Sequence, residues 1–568
     1  MRFLVAAVLF VAAVVCLILG IGEQTIWRPP TMHHLSLQVP YDKPFIVVEH
    51  SALSKFPGNP TITVTGETKV QVAVGRNSDV TAWVGNTPFA LITAKDATKS
   101  HPLQVTDVPG YEPSANPAGS DLWRAEVSKQ KTASIRVNVA NQAAALISND
   151  GIVNAPQDVS LVWKIAKDST SSNVLILVGT LLLVLAVIMN WRSWYTLRRD
   201  RGPRRRTPRA PQGPKLRRRK SQIVAPSKGR RSNRNFAVAV TGLAVAVSLT
   251  GCSGFDQNQS ASPTPSIAVT KVAPPVVTEA QAKTIIGRVA RVVAAGDAGH
   301  KVNLLLPRVA GPALNARASH YALQAASNKI KPLPALDLSK FRLILPAATH
   351  EWPRTIMAVT SGPTSSDLPN MLVLQQQSPR AQYMLWYFIS MLPGVQTPEV
   401  PGTAVGAIPV APNSMFLKIS PQALPTAFGD LIDNGQSSIG AQMFNVTNDE
   451  FYKQVALSLA NQQGNLDNGV IKVAHALGNP TVLSLSTVNS GALVAVYLND
   501  TYTIKPAKKS QAVQVSGDEK LLLGAAGSTT GIRSVYGTML LFYVPAISSS
   551  DKIITLGATQ VLISVRSL

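Results

Sequence analysis

Val174-Leu-Ile-Leu-Val-Gly-Thr-Leu-Leu-Leu-Val-Leu-Ala-Val-Ile-Met189 is the apolar core of an uncharged run that extends from residue 169 to residue 191. At about 1.5 Å of rise per residue, a helix of this length crosses a hydrocarbon layer of roughly 30 Å. Trp191, Trp194 and Tyr195 follow the core, where an interfacial belt of aromatic side chains is expected. Residues 169–191 are therefore predicted to form a membrane helix.

The segment after this run carries most of the positive charge of the chain. Residues 192–235 contain 17 Lys and Arg against one acid, Asp200, which gives +16 of the formal charge of +24. Positive loops remain in the cytoplasm, which places 192–235 inside and residues 28–168 outside. The segment is predicted to be disordered and to bind anionic phospholipid. Because no nucleic-acid-binding module accompanies the cations, nucleic acid is not expected as a partner.

A second apolar run lies at the N-terminal end, from Phe3 to Gly22. Its length favours a retained membrane helix over residues 1–22, and a cleaved secretory signal peptide is the alternative. Between the two runs, residues 28–168 contain short alternating segments such as Thr61-Ile-Thr-Val-Thr65. Such period-two segments, separated by Gly, Pro, Asn and Asp, predict an all-β antiparallel sandwich outside the membrane.

A third apolar run, Phe236 to Leu249, follows a basic stretch and has the length of an export signal rather than of a comfortable membrane span. It ends in Leu249-Thr250-Gly251-Cys252, which resembles the lipobox of bacterial lipoproteins, although such signals are normally N-terminal. The resemblance implies that Cys252 is lipidated and that the chain is cleaved before it, so that 236–252 is a lipoprotein signal. A plain third membrane helix is the alternative. Both interpretations export the residues that follow.

The remainder of the chain begins with a polar linker, residues 253–277, and continues into a region of mixed helix and strand. Thr278-Glu-Ala-Gln281 is a capping box, which predicts a helix start. Helical patterns and then strand patterns occur in that order twice, which predicts α+β units at 278–400 and 401–568. The order of elements resembles a pair of cystatin-like or NTF2-like folds. The whole arrangement is similar to uncharacterised envelope lipoproteins of high-GC Gram-positive bacteria.

Reactive groupings are scarce in this sequence. The two cysteines, Cys16 and Cys252, belong to apolar runs, so the outer domains contain no thiol. Eight histidines lack zinc-motif spacing, and Ser128-Lys-Gln-Lys131 matches the S-x-x-K string of penicillin-recognising enzymes without its partner motifs. Asp430 and Asp433 on one helix are interpreted as a solvated face. No catalytic residue, metal ligand or cofactor is therefore predicted.

Three functions fit these observations. The leading hypothesis is a non-enzymatic envelope protein, anchored in the cell membrane, whose extracellular domains act as a scaffold or interaction module. Its expected partners are the lipid bilayer, envelope proteins and the cell wall. A small-ligand-binding lipoprotein with an NTF2-like pocket and a cell-wall hydrolase or transferase are the alternatives. A deep pocket with a buried carboxylate would favour an enzyme, and a filled cone would favour the scaffold.

Overall fold

The computed structural model describes residues 2–26, 32–95, 102–140, 142–164, 170–199 and 273–568, the last range without 334, 337, 339, 361–367, 465–468 and 509. The chain divides into two compact units. The first, called the helical unit, comprises Met1–Pro29 and Asp168–Thr270. The second, called the main unit, comprises Pro30–Lys167 and Lys271–Leu568.

The described residues form both helices and strands. The helices are α1 (Arg2–Gln24), α2 (His50–Leu53), α3 (Asn77–Val84), α4 (Thr170–Arg199), α5 (Glu279–Gly299), α6 (Gly311–Ala326), α7 (Leu424–Asn434), α8 (Glu450–Gly464) and α9 (Gly517–Leu523). The strands are β1 (Met32–Gln38), β2 (Phe45–Val48), β3 (Thr61–Arg76), β4 (Phe89–Thr93), β5 (Gln104–Val108), β6 (Ala125–Arg136), β7 (Ala143–Ser148), β8 (Asp158–Lys164), β9 (Phe341–Ile344), β10 (Arg354–Thr360), β11 (Asn370–Gln376), β12 (Met384–Ser390), β13 (Gly469–Leu477), β14 (Leu483–Ser486), β15 (Ala492–Pro506), β16 (Val513–Gln514), β17 (Gly527–Ser528), β18 (Ile532–Val544) and β19 (Ile554–Ser567).

The helical unit contains the first two apolar runs as helices. Within α1 and α4, Leu4–Gln24 and Ser172–Tyr195 are long and apolar enough to cross a membrane. The helices pack antiparallel through buried small residues spaced seven apart, namely Ala6, Ala13 and Gly20 on α1 and Ser172, Gly179 and Ala186 on α4. A Cβ on Gly179 would lie 2.9 Å from Leu17 Cγ, so the two backbones approach closely. Small residues at this spacing are a common means of packing membrane helices.

The first region of the main unit, residues 30–167, is β-rich, as predicted, but its strands join one curled sheet. The strand order is β1-β8-β3-β7-β2-β4-β5, with β6 paired to β3, and β2 and β4 are parallel. The expectation of an antiparallel sandwich is therefore corrected to a single mixed sheet. Its curl follows from β3, which pairs with β8 through Thr61–Thr65 and with β7 through Gln71–Arg76.

Both faces of this curled sheet carry apolar side chains. One core contains Ile62, Val72 and Trp163, and the other contains Phe45, Trp83 and Trp123. Strands β2 and β7 are buried at every position, so they are continuous apolar runs rather than alternating ones. A strand covered on both faces is expected to have such a composition.

The second region of the main unit, residues 271–568, has four layers. Helices α5 and α6 cover one face of the sheet β12-β11-β10-β9. The other face of that sheet packs against the sheet β13-β15-β18-β19, which also carries β14. Helices α7 and α8 cover the outer face of this second sheet. The capping box is confirmed, since Gln281 N donates to Thr278 Oγ1 at 3.2 Å and Thr278 N donates to Gln281 Oε1 at 3.1 Å. The cystatin-like or NTF2-like assignment stays a prediction.

Candidate functional site

Leu249, Thr250, Gly251 and Cys252, the residues of the predicted lipobox, lie outside the described residues, as do 200–248. Of the other motifs, Ser128 and Lys131 are both exposed on β6. Among the described residues, no three His, Cys, Asp or Glu side chains come together as a group that could hold a metal ion.

One group of titratable side chains comes together that the sequence analysis did not connect. His475 Nδ1 lies 2.5 Å from Asp433 Oδ1, and its Nε2 lies 3.9 Å from Asp500 Oδ1. Thr538 and Gln560 donate to Asp500 Oδ2 at 2.5 and 2.8 Å. Burial raises the pKa of Asp500, while these hydrogen bonds and the neighbouring histidine lower it. The network joins α7 to four strands of the second sheet, which indicates a structural role.

Of the two aspartates predicted to form a solvated face, Asp430 accepts hydrogen bonds from Asn434 and Ser438 near the helix surface, and Asp433 instead pairs with His475.

A larger polar site joins the two regions of the main unit, and we call it the junction. At its centre, Asp121 enters from the loop before β6, and its side chain is fully buried. Arg288 Nη1 donates to Asp121 Oδ1 at 2.9 Å, and both Nη atoms of Arg308 donate to the same carboxylate. Tyr383 N donates to Asp121 Oδ2 at 2.8 Å. One acid from the first region thus receives two arginines and a backbone amide from the second.

A second ion pair of the junction lies between Asp79 and Arg354. Asp79 stands in the first turn of α3, and Arg354 begins β10. Arg354 Nη2 lies 2.8 Å from Asp79 Oδ1, and both side chains are almost completely buried. The guanidinium also stacks 3.7 Å above the Trp352 ring, which packs against the apolar cluster that contains Trp83 and Trp123. Cation–π stacking and apolar burial therefore accompany the ion pair.

Arg380 binds the opposite end of the same helix. It lies between β11 and β12 and donates to the carbonyl oxygens of Trp83 at 2.9 Å and Val84 at 2.8 Å. Its Nη2 also donates to Thr87 Oγ1 at 2.7 Å. These carbonyls end α3 and carry the negative end of its dipole, where a cation is favourable. Helix α3 thus contacts the second region through complementary charges at both ends.

The arginines exceed the acids at the junction. Arg76 and Arg124, both from the first region, interact electrostatically with Asp79. Burial lowers the pKa of Arg124, and repulsion from Arg76 lowers it further. Burial likewise lowers the pKa of Arg76, and repulsion from Arg354 contributes. The junction therefore holds several positively charged guanidinium groups close to one another in a partly buried environment.

Sequence reasoning missed the junction because its partners are far apart in the chain. Asp121 and Arg308 are separated by 187 positions, and Asp79 and Arg354 by 275. The one local signal was the capping box. Gln281 caps α5 and also donates through Nε2 to the carbonyl oxygen of Leu122 at 3.2 Å.

Comparison with known proteins identifies the second region. Residues 273–565 match a protein family described as a domain of unknown function (DUF8094). No curated protein and no solved structure shows a significant match to the chain. The match covers both sheets, their covering helices and the arginines that the second region contributes to the junction. Because it spans just over half of the chain, the protein belongs to the DUF8094 family.

Proposed function

We propose that the protein is a non-enzymatic scaffold of a bacterial cell envelope, in which two membrane helices anchor one large outer body. The observation that carries this proposal is the junction. Its buried ion pairs join residues 30–167 to residues 271–568, so the two regions present a fixed surface rather than two independently moving domains. Fixed relative orientation is what an assembly platform for envelope proteins or the cell wall requires.

The packing of the second region also favours a scaffold over a small-ligand carrier. Both faces of its two sheets carry buried side chains, including Tyr387 and Leu541 between the sheets and Phe428 beneath α7. An NTF2-like carrier would need an open cone at such a face. In the Asp433–His475–Asp500 network, His475 and Asp500 are buried and Asp500 accepts hydrogen bonds from Thr538 and Gln560, which favours a structural role over that of a hydrolase or transferase.

The extracellular position of the main unit is part of the proposal. It rests on the excess of arginine directly after Trp191, which favours the cytoplasm for residues 192–235. A cysteine introduced at Arg209 is expected to resist an impermeant thiol reagent in intact cells. Labelling at that position before lysis would place the basic segment outside and overturn the topology.

Lipidation of Cys252 completes the proposed anchoring. A short Ala/Val run holds a membrane weakly, whereas two acyl chains anchor firmly. The wild-type chain is expected to yield a lipidated fragment that begins at Cys252, and Cys252→Ala is expected to yield one full-length species. If the native host contains only uncut, unlipidated wild-type protein, residues 236–252 are a plain membrane helix.

The scaffold function itself is tested by loosening the junction. Asp121→Asn removes the central charge of the junction, and Asp107→Asn makes the same change at a surface pair with Lys43. Proteins that co-purify with the wild-type chain from crosslinked native membranes are expected to be lost with Asp121→Asn and retained with Asp107→Asn. An unchanged set of partners, in an Asp121→Asn protein whose junction limited proteolysis shows to be open, would contradict the proposal.

A further inference from the structure

A cleft opens at the edge of the junction. It has a volume of about 330 Å³ and lies between the segment 120–126 of the first region and the first turns of α5. Arg124 lines it from the first region, and Thr284 and Arg288 line it from α5.

The acids beside the cleft are already engaged. Asp121 accepts hydrogen bonds from Arg288, Arg308 and Tyr383 N. Glu126 accepts from Gln71 Nε2 at 2.7 Å and from the backbone N–H of Gly119 at 3.1 Å. An incoming anion therefore meets one carboxylate that is paired with two arginines, Asp121, and one whose oxygens already accept hydrogen bonds, Glu126.

The charges of the cleft and of the junction behind it do not balance. Arg124, Arg288, Asp121 and Glu126 line the cleft, and Arg76, Arg308, Arg354 and Asp79 lie behind them in the junction. Two positive charges are thus left without a counter-charge. Buried charge is costly unless it is paired, so this excess favours a doubly charged anionic ligand.

Hydrogen-bond donors are left over as well. Arg76 Nη1, Arg124 Nε and Arg354 Nη1 are buried and have no hydrogen-bond partner among the described residues. The Arg354 side chain is completely buried, and its Nη2 binds Asp79, the carboxylate that Arg76 and Arg124 also face. Buried polar groups are nearly always hydrogen-bonded, so several unsatisfied guanidinium donors around one carboxylate point to a ligand with several acceptor oxygens.

We propose that this cleft binds a phosphate group, which Arg124 and Arg288 contact directly while Arg76 and Arg354 supply the positive potential behind them. The planar fork of a guanidinium matches two oxygens of a phosphate, and an arginine at each side accommodates a dianion. The phosphate belongs to a soluble ion or ester, or to a phospholipid headgroup at the membrane that anchors the chain.

The test uses the full-length protein in a phosphate-free, non-ionic detergent. Inorganic phosphate is titrated by calorimetry, with chloride at matched ionic strength as the reference. The wild-type chain is expected to bind saturably. Arg124→Gln is expected to weaken binding about tenfold or more, because a charge-assisted hydrogen bond is lost, and Arg124→Lys is expected to be intermediate. Arg136→Gln, an exposed position on β6, is the matched control and is expected to bind as the wild type does.

A thermal melt without phosphate separates a ligand-binding arginine from a structural one. Arg124→Gln is expected to melt at or above the wild-type temperature, since it removes repulsion with Arg76. A lower melting temperature, an absence of saturable phosphate binding, or equal weakening by Arg124→Gln and Arg136→Gln would each overturn the proposal. If phosphatidylglycerol, added as mixed micelles with the same detergent, competes with phosphate, a lipid headgroup is identified as the source. If it does not compete, a soluble phosphate is identified.

Discussion

Asp121 is the side chain on which the two regions of the main unit depend most. It is fully buried and forms ion pairs with Arg288 and Arg308, which come from two separate segments of the second region. A buried ion pair contributes modestly in net terms because desolvation offsets attraction. Loss of one partner costs much more stability, because the remaining charges stay buried without a counter-charge.

Asp121→Asn is accordingly expected to destabilise the main unit by about 3–5 kcal/mol, because Arg288 and Arg308 lose their counter-charge while the shape of the side chain is kept. The free energy of unfolding, followed by tryptophan fluorescence in urea, measures the effect. Asp107→Asn, which breaks the partly exposed pair with Lys43, is expected to cost only about 0–1 kcal/mol. An equal decrease in the free energy of unfolding for the two variants would contradict the idea that burial makes the Asp121 ion pairs more important for stability than a surface pair.

Asp500 should make stability depend on pH in the opposite sense to most acids. Burial raises its pKa above the ordinary value of 3.8, and repulsion from Asp433 adds to the rise, while the hydrogen bonds from Thr538 and Gln560 and the charge of His475 oppose it. The folded state therefore binds the proton more tightly than the unfolded state. The resulting stability is fully present below about pH 4 and is lost as pH rises through the raised pKa. The free energy of unfolding is measured against pH for the wild type and for Asp500→Asn. As pH rises through the raised pKa, the variant is expected to become more stable relative to the wild type. A difference between the two proteins that does not change with pH would contradict the assignment.

Gly311 illustrates how one position fixes the start of an element. It begins α6 with φ +54°, and a Cβ there would lie 2.7 Å from Trp386 Cε2. The positive φ and the close ring each disfavour a side chain. The tryptophan thereby packs directly on the backbone where α6 begins.

Gly311→Ala is expected to destabilise the second region by about 1–3 kcal/mol, since the backbone conformation is strained and the Trp386 ring must move. Gly287→Ala provides the control, because that glycine lies within α5 with open space around its Cα. Removal of a helical glycine is expected to stabilise by about 0.5–1 kcal/mol. Opposite shifts in melting temperature for the two substitutions would support this account, and shifts of the same sign would oppose it.

The elements that the sequence predicted are those with local signals. The capping box of Thr278 and Gln281 predicted the start of α5, and the apolar runs predicted α1 and α4. Strand β7 was harder to interpret, because every one of its positions is buried and its sequence therefore shows no alternation of apolar and polar residues. The junction had no local signal, since Asp79 and Asp121 meet arginines that follow much later in the chain. In the sequence, Arg124 and Arg354 therefore could not be distinguished from the other scattered basic residues.

The main unit as a whole is expected to hold together without an intact connection between its regions. A protease site inserted near Arg209 in the full-length chain allows the connection to be cut in detergent. Because the junction is made of buried non-covalent contacts, the fragments are expected to elute together in gel filtration after cutting. In the same chain with Asp121→Asn and Asp79→Asn, they are expected to separate. Separation of the wild-type fragments would mean that the connection, and not the junction, unites the regions.

The junction also restricts the number of times that the chain can cross a membrane. Residues 30–167 and 271–568 share buried ion pairs, so no bilayer can pass between them. If α4 crosses a membrane once, the chain has to cross back an odd number of times before it re-enters the main unit at residue 271. Phe236–Leu249 and Cys252 lie in that interval. Either a further membrane helix or an exported signal there would bring the chain back to the side of the main unit. The arginine-rich stretch that directly follows α4 would then lie on the side of the membrane opposite the main unit whatever its charge, and neutralising its arginines would leave the number of crossings unchanged.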